Sequence, residues 1–139
     1  ATANKDVTTT AEVKANDDVK FTSTEGTITT DGAVTAETGD IEAKAKGNVT
    51  ANNNLSAAQG AVSLTSDAGN VAVEKNDSAT AKNDVTLKAE AGSVIISETV
   101  TSTDENVVVT AEDTVMITAD VTANEDVTLT GTEVVITPE

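Results

Sequence analysis

The chain has no cysteine, histidine, tryptophan, tyrosine or arginine, and only one phenylalanine, one methionine and one proline among its 139 residues. Without His or Cys it can assemble neither a Ser-His-Asp triad nor a Cys-His pair. Paired carboxylates for glycoside cleavage could be drawn from its 24 acids, but the aromatic platforms usual in sugar-handling sites are missing. The composition therefore argues against an enzyme. Lack of cysteine leaves the redox compartment open and means that any stability comes without disulfide staples. No apolar run approaches the length of a transmembrane helix. A compact core of large aliphatic and aromatic side chains is also out of reach. Any core must come from stacking many small or β-branched residues.

Thr, Ala, Val, Asp, Glu and Asn make up most of the chain. Thr, Val, Asn and Asp are mediocre helix formers. Acidic, aromatic-poor chains often fail to fold at all, but the regular spacing of valine here argues for order. The formal net charge is −16 and unevenly placed: all eight lysines lie at or before Lys88, and residues 89–139 hold eleven acids with no base. Nucleic acid and anionic membrane surfaces are poor partners for such a chain, and membrane insertion is not expected. Cations, salt or a basic partner surface fit it better. The sequence starts at Ala1 without a signal-peptide pattern, as expected of a processed mature protein or an excised segment.

Internal repetition decides the fold class. The segment Asn83 to Ser102 carries apolar pulses led by Val85, Val94 and Val100, and this rhythm recurs from end to end. The pulses sort into three interleaved columns. Column A is Val19, Ile41, Val62, Val85, Val107 and Val127. Column B is Val7, Ile28, Val49, Val71, Val94, Val115 and Val134, and column C is Val13, Val34, Leu55, Ala79, Val100 and Val121. Spacing within a column runs from 19 to 24 residues. The next inward residue lies two further on, as strand alternation requires, and its size is characteristic of the column. Column A fills with Phe21, Ala43, Leu64, Leu87, Val109 and Leu129. Column C fills only with small residues, such as Ala36, Ala57 and Ala81. The pattern predicts an all-β fold, a three-sided parallel β-solenoid of about 21–22 residues per coil and roughly six coils. It is expected to form a single domain over 1–139, uncapped at both ends.

The turns repeat as well. Gly26, Gly47, Gly69 and Gly92 each stand two residues before a column B strand, which suggests a backbone position of positive φ. Asp18, Asp40, Asp84, Asn106 and Asp126 end the turns before column A, where short side chains can bond turn backbone. Two extra residues around Lys75 to Asp77 predict a bulge, and Pro138 reads as a stop after the last strand. Phe21, between Thr9 and Thr30 in coil order, is expected to fill the volume that those small residues leave.

Two segments, Lys82-N-D-V-T-L-K-Ala89 and Ala123-N-E-D-V-T-L-Thr130, resemble the repeats of filamentous-haemagglutinin exoproteins, with Asn16-D-D-V-K-F-T-Ser23 a looser match. Those secreted adhesins of the two-partner type fold as right-handed parallel β-helices. The resemblance implies a right-handed winding, an extracellular or cell-surface location and an adhesive or structural role, with a host or matrix surface ligand as a candidate partner. Their secretion-signalling N-terminal domain has no counterpart here.

Open solenoid ends favour pairing with another chain. The expected interface residues are Val7, Val13 and Val19 at one end and Val121, Val127, Val134 and Ile136 at the other, which would give a homo-oligomer or filament by end-to-end stacking. No cofactor is indicated. Calcium is the chemical alternative, because hard cations take carboxylate oxygens and acids cluster at Asp104-Glu105, Glu112-Asp113 and Glu125-Asp126. The outward file Lys14, Thr35, Ser56, Thr80, Thr101 and Thr122 offers a Thr-rich face, on which a ligand-binding or ice-binding adhesive module is the alternative reading. Asn48-V-T50, Asn54-L-S56 and Asn76-D-S78 fit the glycosylation acceptor pattern, and chance accounts for them in a chain this rich in Asn, Thr and Ser.

Overall fold

The computed structural model describes residues 1–74 and 78–137. Twenty short strands, numbered in chain order, are all the regular structure among these residues. Each joins one of three parallel sheets, and the chain visits the sheets in strict rotation. Sheet A runs β1 (Thr2–Ala3), β4 (Val19–Ser23), β7 (Ile41–Ala45), β10 (Val62–Ser66), β13 (Val85–Ala89), β16 (Val107–Ala111) and β19 (Val127–Thr130). Sheet B runs β2 (Val7–Thr9), β5 (Ile28–Thr30), β8 (Val49–Ala51), β11 (Val71–Val73), β14 (Val94–Ile96), β17 (Thr114–Ile117) and β20 (Glu133–Ile136). Sheet C runs β3 (Val13–Ala15), β6 (Val34–Ala36), β9 (Leu55–Ala57), β12 (Ser78–Ala81), β15 (Thr99–Ser102) and β18 (Val121–Thr122). This is a three-sided parallel β-solenoid of about six coils, each about 21 residues long.

The register follows the three columns. Val62 pairs with Ile41 on one side and Val85 on the other. Val71 stands between Val49 and Val94, and Ala79 between Leu55 and Val100. Strand alternation then sorts the side chains. In Val62–Ser66 the residues Val62, Leu64 and Ser66 are buried, while Ser63 and Thr65 are only partly covered. The buried set forms one continuous column of core from Val7 to Ile117. Column C supplies only alanine or serine at its second inward position, and Ala36, Ala57, Ala81 and Ser102 are all buried there. Phe21, 4% exposed, is buried at the early end of the same core. Thr9 and Thr30 are register partners beside it, and each carries a buried hydroxyl without a partner.

One strand is absent from the three valine columns. β1 pairs with β4 through Thr2 opposite Thr22 and Ala3 opposite Ser23, so sheet A begins one coil earlier than its apolar residues indicate.

The turns are bonded from coil to coil. The Asx residues before a strand accept an amide from the equivalent turn of the next coil, where the sequence suggests bonds within their own turn. Asp18 Oδ1 accepts from the amide of Asp40 at 2.9 Å, and Asp40 Oδ1 from that of Ala61 at 2.8 Å. The chain of bonds lapses at Ala61 and resumes from Asp84 to Asn106 at 3.1 Å and from Asn106 to Asp126 at 3.0 Å. Before sheet B, Asn48 serves Asn70 and Asn70 serves Ser93, each at 2.8 Å. The acceptor always belongs to the earlier coil, so the rod carries a polarity at its corners.

That stacking also corrects the reading of the glycines. None of Gly26, Gly47, Gly69 and Gly92 has a positive φ. Gly26, Gly69 and Gly92 are needed because the turn below is too close, while at Gly47 a Cβ would come no nearer than 3.0 Å to it. A Cβ on Gly92 would stand 2.5 Å from both Asn70 Oδ1 and the Gly69 carbonyl oxygen, and one on Gly26 2.7 Å from the Lys5 carbonyl carbon. Buried serines close further corners. Ser66 Oγ donates to the Gly47 carbonyl of the coil below at 2.7 Å and accepts the Gly69 amide at 2.8 Å. Ser102 makes the same pair of bonds with Asn83 and Glu105. The bulge expected at Lys75 to Asp77 and the stop expected at Pro138 lie outside the described residues.

Candidate assembly and binding surfaces

Because every interior strand is paired on both sides, the free strand edges are at the two ends of the rod: β1, β2 and β3 at one, β18, β19 and β20 at the other. Of the expected interface residues, Val7, Val13, Val121, Val127, Val134 and Ile136 lie on these edges, whereas Val19 lies on β4, flanked by β1 and β7, and they differ in exposure. Val7 and Val19 are buried and Val13 is half-buried. At the opposite end Val121 is half-buried, while Val127, Val134 and Ile136 are 43%, 41% and 56% exposed. The last coil therefore presents its apolar interior to solvent far more openly than the first. Ala3, packed against the core, helps to cover the early end.

The outward Thr-rich file on sheet C is continuous. Lys14, Thr35, Ser56, Thr80, Thr101 and Thr122 are successive register partners. It opens on a charge, since Lys14 pairs with Glu37 at 2.7 Å. The Glu37 carboxylate, through its hydrogen bond and then its charge, raises the Lys14 pKa above 10.5. On sheet A, Lys20 stands opposite Glu42 in register with a contact of 3.2 Å. Such exposed pairs contribute little each.

Sheet B carries an outer file that its inward columns do not reveal. Thr8, Thr29 and Thr50 are followed by Ala72, Ile95, Met116 and Val135, all in register. The outer face of one wall thus turns from hydroxylated to apolar halfway along the rod, with Met116 41% exposed. The signal was available: Ile95 and Met116 stand at the outward position of their pulses, where earlier coils have Thr.

The acid pairs at Asp104-Glu105, Glu112-Asp113 and Glu125-Asp126 are all exposed. Among the described residues no three acids converge on a point that could hold a metal ion. A cleft of about 340 Å³ at the corner between sheets A and B is lined by Lys88, Glu90, Thr110 and Glu112. Lys88 and Glu90 pair with each other across 3.1 Å. Of the glycosylation patterns, Asn48 and Asn54 are exposed but hold coil-to-coil bonds to Asn70 and Ser78. Asn76 lies outside the described residues. No helix is long and apolar enough to cross a membrane among the described residues.

Comparison with protein families, curated proteins and solved structures gives no significant match. Its architecture and surfaces are therefore the material for a functional reading.

Proposed function

We propose that the chain is a non-catalytic extracellular structural protein, a stiff rod that either self-assembles end to end into filaments or serves as the shaft of a larger secreted adhesin at the cell surface. The observation that carries this reading is the pair of strand edges at the ends, above all the last coil with Val127, Val134 and Ile136 open to solvent. Whatever continues the rod, further coils or a second copy, covers that apolar interior and pairs those backbones. The resemblance of Lys82–Ala89 and Ala123–Thr130 to filamentous-haemagglutinin repeats supports the same reading. Stiffness comes from backbone hydrogen bonds stacked along the axis, and the charge of −16 keeps rods apart sideways.

Size-exclusion chromatography over a range of concentrations, with electron microscopy of the same samples, tests it. Concentration-dependent fibres of uniform width are expected, and Ile136→Lys should suppress them. A monomer at every concentration would rule out the self-assembling subunit. The in-register Thr file on sheet C favours a second reading, an adhesive or ice-binding face. Thermal hysteresis in the freezing point of a concentrated solution would support it, and its absence would dispose of ice binding.

A further inference from the structure

The outer face of sheet B carries a row of apolar side chains along the flank of the rod. Ile95 is the register partner of Met116, and Met116 of Val135. Met116 is 41% exposed, and Ile95 and Val135 are half-buried. Two residues before and after them stand short hydroxyl side chains, Ser93 and Ser97 beside Ile95, Thr114 and Thr118 beside Met116. The apolar row is therefore a ridge on a lower polar floor. Nothing in the fold calls for it, since Thr8, Thr29 and Thr50 serve the same outward place in earlier coils.

Carboxylates rim the ridge on both sides. Glu112 and Asp113 stand in the turn between β16 and β17, Glu133 opens β20, and Asp120 lies in the turn between β17 and β18. All four are exposed. Among the described residues none of them is in an ion pair. Lys88, the last lysine in chain order, is already held by Glu90 at 3.1 Å.

We propose that this ridge is a lateral docking site for a cationic amphipathic helix of a partner protein. Its apolar stripe sits on Ile95, Met116 and Val135, and its basic flanks meet Glu112, Asp113 and Glu133 on one side and Asp120 on the other. The dimensions agree. Register partners are about 4.8 Å apart along the rod, and a helix repeats every 5.4 Å or so, so a helix lying along the axis keeps step over three coils. Residues at i, i+3, i+4 and i+7 form a double row whose seam receives a single ridge. Charge selects among occupants. A second copy laid ridge to ridge would set carboxylates against carboxylates, and an anionic lipid surface would be repelled by the same rim. This flank site needs no end-to-end contact.

A synthetic helix of about 18 residues tests the proposal, with leucine along one stripe and lysine elsewhere; its control has the same composition with leucine spread over all faces. Ile95→Thr with Met116→Thr installs the residue that Thr29 and Thr50 already place in this file, so the fold is kept. By titration calorimetry this pair should weaken the striped peptide about tenfold or more. Glu112→Gln with Asp113→Asn should weaken it several-fold and reduce its salt dependence. Asp104→Asn with Glu105→Gln removes equal charge at the corner between sheets C and A and should leave binding unchanged. Equal binding of both peptides, or equal loss from the two charge pairs, overturns the site in favour of diffuse attraction to an acidic rod. Full binding by the Thr variant also overturns it. Binding to phosphatidylcholine vesicles that the Thr variant loses would assign the ridge to lipid instead. A dimer in sedimentation velocity that the Thr variant dissolves would assign it to a second copy, and either result overturns the helix.

Discussion

Asn48 and Asn70 are 22 residues apart in sequence and one coil apart in space, and the Asn70 amide donates to Asn48 Oδ1 at 2.8 Å. The Ser93 amide in turn donates to Asn70 Oδ1. Such bonds tie each corner to the one before it and hold the coils at a common rotation.

Replacing Asn70 by Ala leaves the Ser93 amide without its acceptor. The expected loss is about 1 kcal/mol, the usual net worth of such a bond. The reverse change is also testable. Ala61→Asn restores an acceptor where the chain of bonds lapses beneath Asp84, and should stabilise the rod by about 0.5–1 kcal/mol. Urea midpoints at an unchanged slope measure both.

Ser66 has a stricter role because it is fully buried and serves two coils at once. Ser66→Ala removes a donor to Gly47 and an acceptor for Gly69 together. A loss of about 1–3 kcal/mol is expected, as for other buried groups left unsatisfied. A neutral result in equilibrium denaturation would mean that water reaches this corner.

Phe21 is the only aromatic side chain and is almost wholly buried. Its neighbours in register include Ala43, too small to fill the space left by truncation. Phe21→Ala should cost about 3–5 kcal/mol. A loss below about 1 kcal/mol, again from denaturant midpoints, would contradict the packing of the early coils.

Asp6 supplies an acid-sensitive contact. The Thr27 amide, and then the Thr27 hydroxyl, bond its carboxylate at 2.8 and 3.0 Å and hold its pKa below the ordinary 3.8. A depressed folded-state value means a stabilising contribution fully present above pH 3.8 and lost as pH falls through the lowered value. Asp6→Asn should flatten the stability profile of the rod below about pH 4 and leave its shape near neutrality unchanged. Thermal melts between pH 2 and pH 7 read this directly.

Much of the fold was legible because strand register leaves a volume signature. Val62, Val85 and Val107 recur at one place in each coil, and their pairing in sheet A follows the spacing residue for residue. β1 was not legible, since Thr2 and Ala3 carry too little apolar area to mark a pulse. The glycines misled for a physical reason: a missing Cβ relieves either a strained φ or a crowded neighbour, and sequence does not separate the two. Gly92 needs the second kind of room. The apolar outer file of Ala72, Ile95, Met116 and Val135 leaves no mark on the inward columns, because its residues stand at the outward position of each sheet B strand. At the ends, six of the seven residues expected at an interface lie on edge strands, and Val19 does not, because β1 adds a strand outside β4. Their unequal exposure depends on which strand happens to cover them.

The corners absorb unequal lengths of chain while the walls do not slip. Twenty-four residues separate Leu55 from Ala79 and nineteen separate Val115 from Val134, yet both pairs are direct register partners. Segments grafted into the corner between sheets B and C should therefore project sideways as tethers without changing the pitch. Such a rod works as a ruler whose graduations ignore what is hung from them, and new recognition loops could be displayed along it at fixed intervals.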